Sequence, residues 1–427
     1  MMDLETFNWL LTADGQALLA EARAGDLGEP ARLRELERLR RRAPPERAAA
    51  AYEIARARAK AAAKFARAEE LYFTREALEQ ASGEVVAGYR AERYRSYGAA
   101  ADLCCGAGGD TLSLARAVRV SAVDRDPLRL AMARANARAL GLADRVVFAT
   151  ADLERDPPPD APALFFDPAR RSAGRRVFAL AAYQPPVALV RGWRARTPAI
   201  GVKVAPGVSD EELAELGVPE IEFISVDGEL KEAVLWFGPL AAEGRRATVL
   251  VTDDRRPTTD DQRQLSDDMQ PAIRASSQFS MLNAQSSASA PLAAPAGYLF
   301  EPDPAIIRAR AVAALAEQLG AAQLDREIAY LTAERPAITP LARCWRVLEW
   351  LPFGMKRLRA RLRALDAGAV TVKKRGSPLD AEALARQLSG GGARPLVVAL
   401  TQVAGRPAAL ICEGPVQGQG QSERGSR

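Results

Sequence analysis

Asp102 stands four residues before Gly106 and six before Gly108, in the run Ala101-Asp-Leu-Cys-Cys-Gly-Ala-Gly-Gly-Asp110. An acid ahead of a Gly-x-Gly suits a ligand with a positive or donor group near the carboxylate. The two glycines let such a ligand lie against bare backbone. Three more acids recur along the chain: Asp124, then Asp152 in Ala151-Asp152-Leu153, then Asp167 in Phe165-Phe166-Asp167-Pro168-Ala169-Arg170-Arg171. A carboxylate at Asp124 can accept both hydroxyls of a ribose, and one at Asp152 can accept an exocyclic amine. The chemistry indicated is group transfer from a cationic nucleoside.

The spacing discriminates among nucleotide ligands. A dinucleotide fingerprint needs a third glycine where Thr111 stands and an apolar residue where Asp102 stands. No Gly-Lys-Ser/Thr follows, which excludes a Walker A loop. S-adenosylmethionine fits Asp102, Cys104, Gly106, Gly108, Asp124 and Asp152. The chain has no histidine, which removes imidazole bases, His-based triads and His-ligated metal sites. Methyl transfer survives that loss, because orienting an acceptor toward an activated methyl does much of the work. Each acid alone would suit a helix cap or a turn, and Asp126, just ahead of Pro127, is read as a cap. Cys104 and Cys105 are adjacent while Cys344 and Cys412 are isolated, which is neither a disulfide framework nor a zinc spacing. They read as packing residues in a reducing cytoplasm, with no metal.

These residues need elements that bring strand ends together. From Ala99 to about Thr252 the pattern alternates strand and helix. Strands are expected at Ala99–Cys105, Arg119–Asp124, Arg145–Thr150, Ala163–Asp167 and Ile200–Val204. Helices are expected at Asp110–Ala117, from Asp126 to Leu140, over Phe178–Trp193 with a proline interruption, and from the capping box at Ser209–Glu212. All four acids then lie at or just beyond carboxyl ends of strands, where open α/β sheets bind ligands. Glu220–Val226 and Glu229–Phe237 flank Asp227-Gly228, a hairpin signal, so an antiparallel strand ends a mostly parallel sheet. Residues 1–95 read as helical, broken at Pro44-Pro45.

Residues 253–296, rich in Ser, Gln, Asp, Pro and Ala, read as a linker or flexible insert. Residues 297–415 read as a small α+β domain and 416–427 as a disordered tail. In that domain one helix is expected over Pro304–Leu319, a mixed segment over Ala342–Pro352 and a basic helix over Gly354–Leu365. A strand over Ala369–Lys374, a helix over Leu379–Leu388 and a final hairpin follow. The net charge is +5, and Lys356 to Arg375 holds eight bases and one acid. Arg357 and Arg361 fan outward from a Leu358/Leu362/Leu365 stripe, and Lys373, Lys374 and Arg375 end the next strand. If the two elements adjoin, they form one phosphate-binding patch; charge alone equally suits a solvated face. No apolar run has membrane-spanning length.

Residues 99 to about 240 resemble class I, Rossmann-like S-adenosylmethionine-dependent methyltransferases. The run Asp-Leu-Cys-Cys-Gly-Ala-Gly-Gly-Asp-Thr resembles the branch of trimethylguanosine synthases and other RNA N-methyltransferases. The stretches Gly297-Tyr-Leu-Phe-Glu-Pro-Asp303, Thr371-Val-Lys-Lys-Arg-Gly376 and Val403-Ala-Gly-Arg406 resemble the THUMP-like domain attached to such enzymes in bacteria. The resemblance implies an α/β methyltransferase sheet over 96–252, with S-adenosyl-L-methionine as cofactor and RNA (rRNA or tRNA) as partner. It implies that Asp167 orients the acceptor, with Arg170 beside it, and that Phe73 and Thr74 lie in a lid segment, for cofactor or acceptor contact. The pair Arg170 and Arg171 could hold a phosphate or stack on a base, or form a salt bridge at the rim. The motif Asp-Pro-Ala-Arg departs from the Asp/Asn-Pro-Pro-aromatic of base-amine methyltransferases. It also resembles that of uracil C5-methyltransferases, but no cysteine lies between Cys105 and Cys344 to serve as their nucleophile. A small-molecule or protein acceptor, or a non-catalytic RNA-binding role, are the alternatives.

Overall fold

The computed structural model describes residues 2–170, 180–252, 277–284 and 289–416. They gather into two units, one of residues up to 220 with 232–243, the other of 221–231, 244–252 and the chain from 275 on.

The first unit begins with six helices: α1 (Leu4–Leu10), α2 (Ala13–Ala24), α3 (Arg32–Arg40), α4 (Pro45–Ala61), α5 (Arg75–Gln80) and α6 (Glu84–Glu92). Asp3, Thr12 and Thr74 cap three of them through side-chain oxygens, and Pro45 opens α4 at a position where its missing N–H costs nothing. Their apolar faces share one core with the helices after the glycine turn: Phe7, Leu19, Ile54 and Phe73 meet Ala107, Leu112 and Met132. Each large side chain buried there contributes about 1.5–3 kcal/mol.

The sheet of this unit comprises β1 (Ala99–Leu103), β2 (Arg119–Asp124), β3 (Val146–Thr150), β4 (Leu164–Phe166), β7 (Ile200–Val204) and β9 (Glu229–Phe237). Two-residue strands β5 (Ala169–Arg170) and β6 (Tyr183–Gln184) pair outside it. The spatial order is β3-β2-β1-β4-β7-β9, parallel throughout except that β9 runs antiparallel to β7. The order reverses between β1 and β4, which opens a crevice beyond their carboxyl ends. Helix α7 (Gly109–Ala117) follows β1 and α8 (Pro127–Ala139) follows β2. Asp126 accepts the amides of Leu128 and Arg129 as the cap of α8. Two further helices are α9 (Val190–Trp193) and α10 (Asp210–Leu216), the latter opened by the Ser209/Glu212 capping box.

The second unit holds β8 (Glu220–Val226), β10 (Gly244–Thr252) and β11 (Ser277–Asn283), in the order β11-β10-β8. Asp227 and Gly228, at φ 51 and 82, make the turn after β8 as an Asp-Gly hairpin demands. A seven-stranded sheet follows: β12 (Tyr298–Pro302), β13 (Ala322–Asp325), β14 (Ile328–Ala333), β15 (Ala342–Pro352), β16 (Ala367–Lys374), β17 (Arg394–Val403) and β18 (Arg406–Pro415), ordered β13-β14-β12-β15-β18-β17-β16. Its helices are α11 (Pro304–Arg308), α12 (Val312–Leu319), α13 (Met355–Ala364) and α14 (Ala381–Leu388). One sheet face packs Val370, Val372, Val398 and Ile411 on Leu358, Leu362, Leu384 and Leu388 of α13 and α14. The other gathers Trp345, Ala399 and Leu410 with Leu324 and Tyr330. The sheet curls, because the Ala404 amide reaches Leu324 O at 3.1 Å and the Gly405 amide reaches Asp325 Oδ2 at 2.6 Å.

Several expectations are corrected. Within the stretch read as a linker or flexible insert, Ser277–Asn283 form β11, which pairs residue for residue with β10 over Arg246–Thr252. The single helix over Pro304–Leu319 is two, because Arg310 adopts φ 60 between them. The mixed segment at Ala342–Pro352 is one strand. Of Phe178–Trp193, the described part holds short 3₁₀ turns, β6 and α9 rather than one helix, since Pro185 and Pro186 remove two successive donors. The calls at 253–276, 285–288 and 417–427 lie outside the described residues.

Candidate active site

Beyond β1 the backbone turns sharply: Cys104, Gly106 and Gly108 sit at φ 63, 55 and 92. The Gly108 amide closes on Cys105 O at 2.9 Å and hands the chain to α7. A Cβ on Gly108 would meet Ala133 Cβ at 3.2 Å, so packing as well as conformation asks for glycine there. A Cβ on Gly106 would meet nothing within 4 Å; the space beside that backbone is open to a ligand.

Asp124, at the end of β2, holds the turn. Its Oδ2 accepts the Gly106 amide at 2.8 Å and its Oδ1 the Asp126 amide at 2.9 Å. Burial raises its pKa, and those two amides oppose the rise. Asp102 is fully buried. The Thr111 hydroxyl donates to its Oδ2, while Oδ1 has no partner among the described residues. Burial, reinforced by Asp110, pushes Asp102 well above the usual carboxylate range. A cation or donor arriving at Oδ1 is what such a group lacks. Asp152 sits half-buried after β3 in a self-contained turn, its Oδ1 accepting the Glu154 amide at 3.2 Å. Cys104 and Cys105 are thiols whose burial pushes their pKa values well up, which keeps them protonated and poor as nucleophiles.

Asp167 follows β4 directly, its amide donating to Leu103 O at 3.1 Å. Its Oδ2 accepts Lys203 Nζ at 2.7 Å. Arg170 lies on β5 opposite Tyr183, whose hydroxyl accepts the Ala205 amide at 2.7 Å, so the chain beyond β4 is tied to the chain beyond β7. The Arg170 side chain and Arg171 lie outside the described residues.

Spacing did not reveal several supporting residues. Arg90, on α6, is 2% exposed; it pairs with Asp110 and, at 3.1 Å, with Glu232, and its guanidinium covers the Phe165 ring. Ser82 Oγ donates to Asp110 Oδ2 at 3.0 Å. Asn136, fully buried on α8, donates to Ala107 O at 2.9 Å and to Tyr72 O at 3.0 Å, and accepts the Tyr72 amide at 2.7 Å. It fastens the glycine turn to the helical region. A lone asparagine in an alanine-rich helix, and a lysine closing an apolar strand at Lys203, were the available signals.

Phe73 requires a correction. It is fully buried and stacked on Phe65 with ring centroids 5.1 Å apart, so it belongs to the helical core and presents no surface to an acceptor. The patch that α13 and the next strand would form if they adjoined divides between two faces. Lys373 pairs in register with Ala399, on the sheet face opposite α13. There Lys373 bonds Glu301 at 2.7 Å and covers Trp345, and Arg375 approaches the same carboxylate at 3.6 Å. Lys374 donates to Leu379 O at 2.7 Å, and Arg361 binds Glu349 at 2.8 Å. Arg357, with Lys356, Arg359 and Arg363, stands exposed on the outer face of α13.

The sheet order, the glycine turn and acids on four successive strand ends define a Rossmann-like nucleoside-binding enzyme. Residues 98–187 match the family of RNA cap guanine-N2 methyltransferases, residues 342–414 the THUMP domain-like family, and residues 3–61 a domain of unknown function. Two uncharacterized S-adenosylmethionine-dependent methyltransferases from Mycobacterium tuberculosis, strains CDC 1551 and H37Rv, are each 39% identical over 335 residues. That match covers 78% of this chain and 84% of theirs. The chain belongs to the S-adenosylmethionine-dependent methyltransferases. A crystal structure of a protein assigned as a methyltransferase from Porphyromonas gingivalis W83 shares the fold, at TM-score 0.68 and 21% identity over 96% of this chain and 97% of that one. The orphaned Asp102 oxygen, the open space beside Gly106 and the hydrogen-bonding edge of Asp124 fit the cofactor's cationic and hydroxyl-bearing parts. Among the described residues no helix is long and apolar enough to cross a membrane.

Proposed function

We propose that this methyltransferase acts on a base nitrogen of RNA, with rRNA or tRNA as substrate. The observation that carries the reading is the exposed basic face of α13, which lies inside the THUMP-like span of a chain that also matches the RNA cap guanine-N2 methyltransferases. Four cations on one solvated helix face suit a phosphate backbone.

In this reading Asp102, Gly106, Gly108, Asp124 and Asp152 hold S-adenosyl-L-methionine, which supplies an activated methyl. Asp167 accepts an N–H of the target base and aims its lone pair at that methyl. The bound cofactor would supply the methyl, its sulfur keeping the electron pair of the C–S bond as the new N–C bond takes its place. The proton of the acceptor nitrogen passes to the Asp167 carboxylate and on to water. Arg170 and Arg171, in the same motif, are assigned to the base or its phosphate.

The test incubates the full chain with methyl-labelled cofactor and RNA from cells lacking the gene. Label in a methylated nucleoside of rRNA or tRNA is the expected result; label confined to protein or small molecules overturns the RNA reading. Asp124→Ala should weaken S-adenosylhomocysteine binding about 100-fold by calorimetry, the loss of two charge-assisted hydrogen bonds. Unchanged affinity would remove Asp124 from the cofactor site.

A further inference from the structure

We infer that Lys203 is a positioning residue for methyl transfer: its ammonium, 2.7 Å from Asp167 Oδ2, fixes that carboxylate in place and in its ionised form, leaving Oδ1 to accept from the substrate. The inference rests on the reading that Asp167 meets the acceptor.

The geometry behind it is specific. Lys203 lies near the carboxyl end of β7, and Asp167 leaves β4, its parallel neighbour in register at Phe166 and Val202. The ammonium therefore approaches from the side, across two adjacent strands, rather than from the crevice. Both side chains are mostly enclosed, 17% and 25% exposed, so the pair is not a flexible surface contact of little consequence. A neutral carboxyl at this place could donate a hydrogen bond through its O–H, competing with the acceptor role the chemistry requires.

The surroundings explain why a cation is needed. Burial raises the pKa of Asp167, and Asp110 on α7 adds to the rise; Lys203 and, more weakly, Arg90 on α6 oppose it. Asp102 at the end of β1 and Glu232 on β9 are further acids of the same cluster. Arg90 is already committed to Asp110 and Glu232. Among the described residues Lys203 is thus the cation bonded to Asp167 itself.

The experiment compares wild type with Lys203→Met and Lys203→Arg. Folding and cofactor binding are first checked by thermal melts and by titration with S-adenosylhomocysteine. The carboxyl carbon of Asp167, assigned by its loss in Asp167→Asn, is then followed by carbon-13 NMR against pH. Its midpoint should rise by at least about one pH unit in Lys203→Met, a tenfold change in proton affinity, and return in Lys203→Arg. An unmoved midpoint overturns the inference. Should Lys203→Met fail to fold, Lys203→Gln replaces it in the same titration. A second reading uses methyl incorporation into RNA. The acid limb of the rate profile should move upward with the Asp167 midpoint and return in Lys203→Arg. A limb that stays put while the rate falls overturns the inference in favour of a structural role. If the midpoint moves but even the wild type labels no RNA, the Lys203–Asp167 coupling stands and the RNA reading is what fails.

Discussion

The two units use similar charged residues in opposite ways. In the first, Arg90, Lys203, Asp110, Asp167 and Glu232 are enclosed and each answers to a specific neighbour, while the enclosed Asp102 has only the Thr111 hydroxyl. On α13 of the second, Lys356, Arg357 and Arg363 are exposed to water, as is Arg359, which also reaches Gln387 Oε1 at 3.3 Å. An enclosed charge must be paired or neutralised, because desolvation is expensive, so it acquires fixed geometry and a shifted pKa. An exposed charge acts through its field, which salt screens. The difference separates groups suited to chemistry from groups suited to adhesion.

The comparison breaks most visibly at Arg90. Arg90→Met should lower the unfolding free energy by about 3–5 kcal/mol, because Asp110 and Glu232 are then left buried without their cation. Urea melts followed by circular dichroism measure it; a loss no larger than that of an exposed arginine would mean that Arg90 does not neutralise the two buried acids.

A smaller effect sharpens the comparison through pH. Burial raises the Glu232 carboxyl from 4.5 to about 7, against the lowering influence of Arg90 and Lys203. The native state therefore holds this proton more firmly than the unfolded chain. Its contribution is fully present below pH 4.5 and is lost as pH rises through about 7. The stability of the wild type should fall more steeply over that window than that of Glu232→Gln. Asp102 and Asp167, also raised by burial, remain in both proteins, so the difference reports Glu232 together with its repulsion from Asp167. Equal slopes would contradict the assignment.

The smallest effect belongs to the exposed face. Arg357→Ala and Arg363→Ala should each change stability by less than about 0.5 kcal/mol. Each should also reduce the salt dependence of RNA binding by about one unit in the log–log slope. Filter binding over a salt series measures the slope; a slope that does not respond to either substitution would leave α13 an ordinary solvated helix.

The legible part of the site was what depends on order along the chain. Alternation of strands and helices put Asp102, Asp124, Asp152 and Asp167 on strand ends, and the glycine spacing separated this turn from a dinucleotide fingerprint. Asp227-Gly228 announced its turn because few residue pairs tolerate two positive φ values. The rest of the site depends on which segments meet. Asn136 reads as an unremarkable helical residue until Tyr72 and Ala107 are found on either side of it. Phe73 looked available because its neighbours suggested a lid, and only the stack on Phe65 reveals a core residue. Lys373 and Arg361 looked like one patch because they are close in sequence, whereas strand alternation sends Lys373 to the far face of the sheet.

By itself the sequence determined the enzyme class, the order of acids and glycines along the strand ends, and the absence of imidazole chemistry, because residue type and local backbone preference suffice for those. Tertiary structure alone decided which charges are enclosed and with whom. Pairings such as Lys203 with Asp167, 36 residues apart, depend on the order in which strands lie side by side, and no local spacing encodes that order.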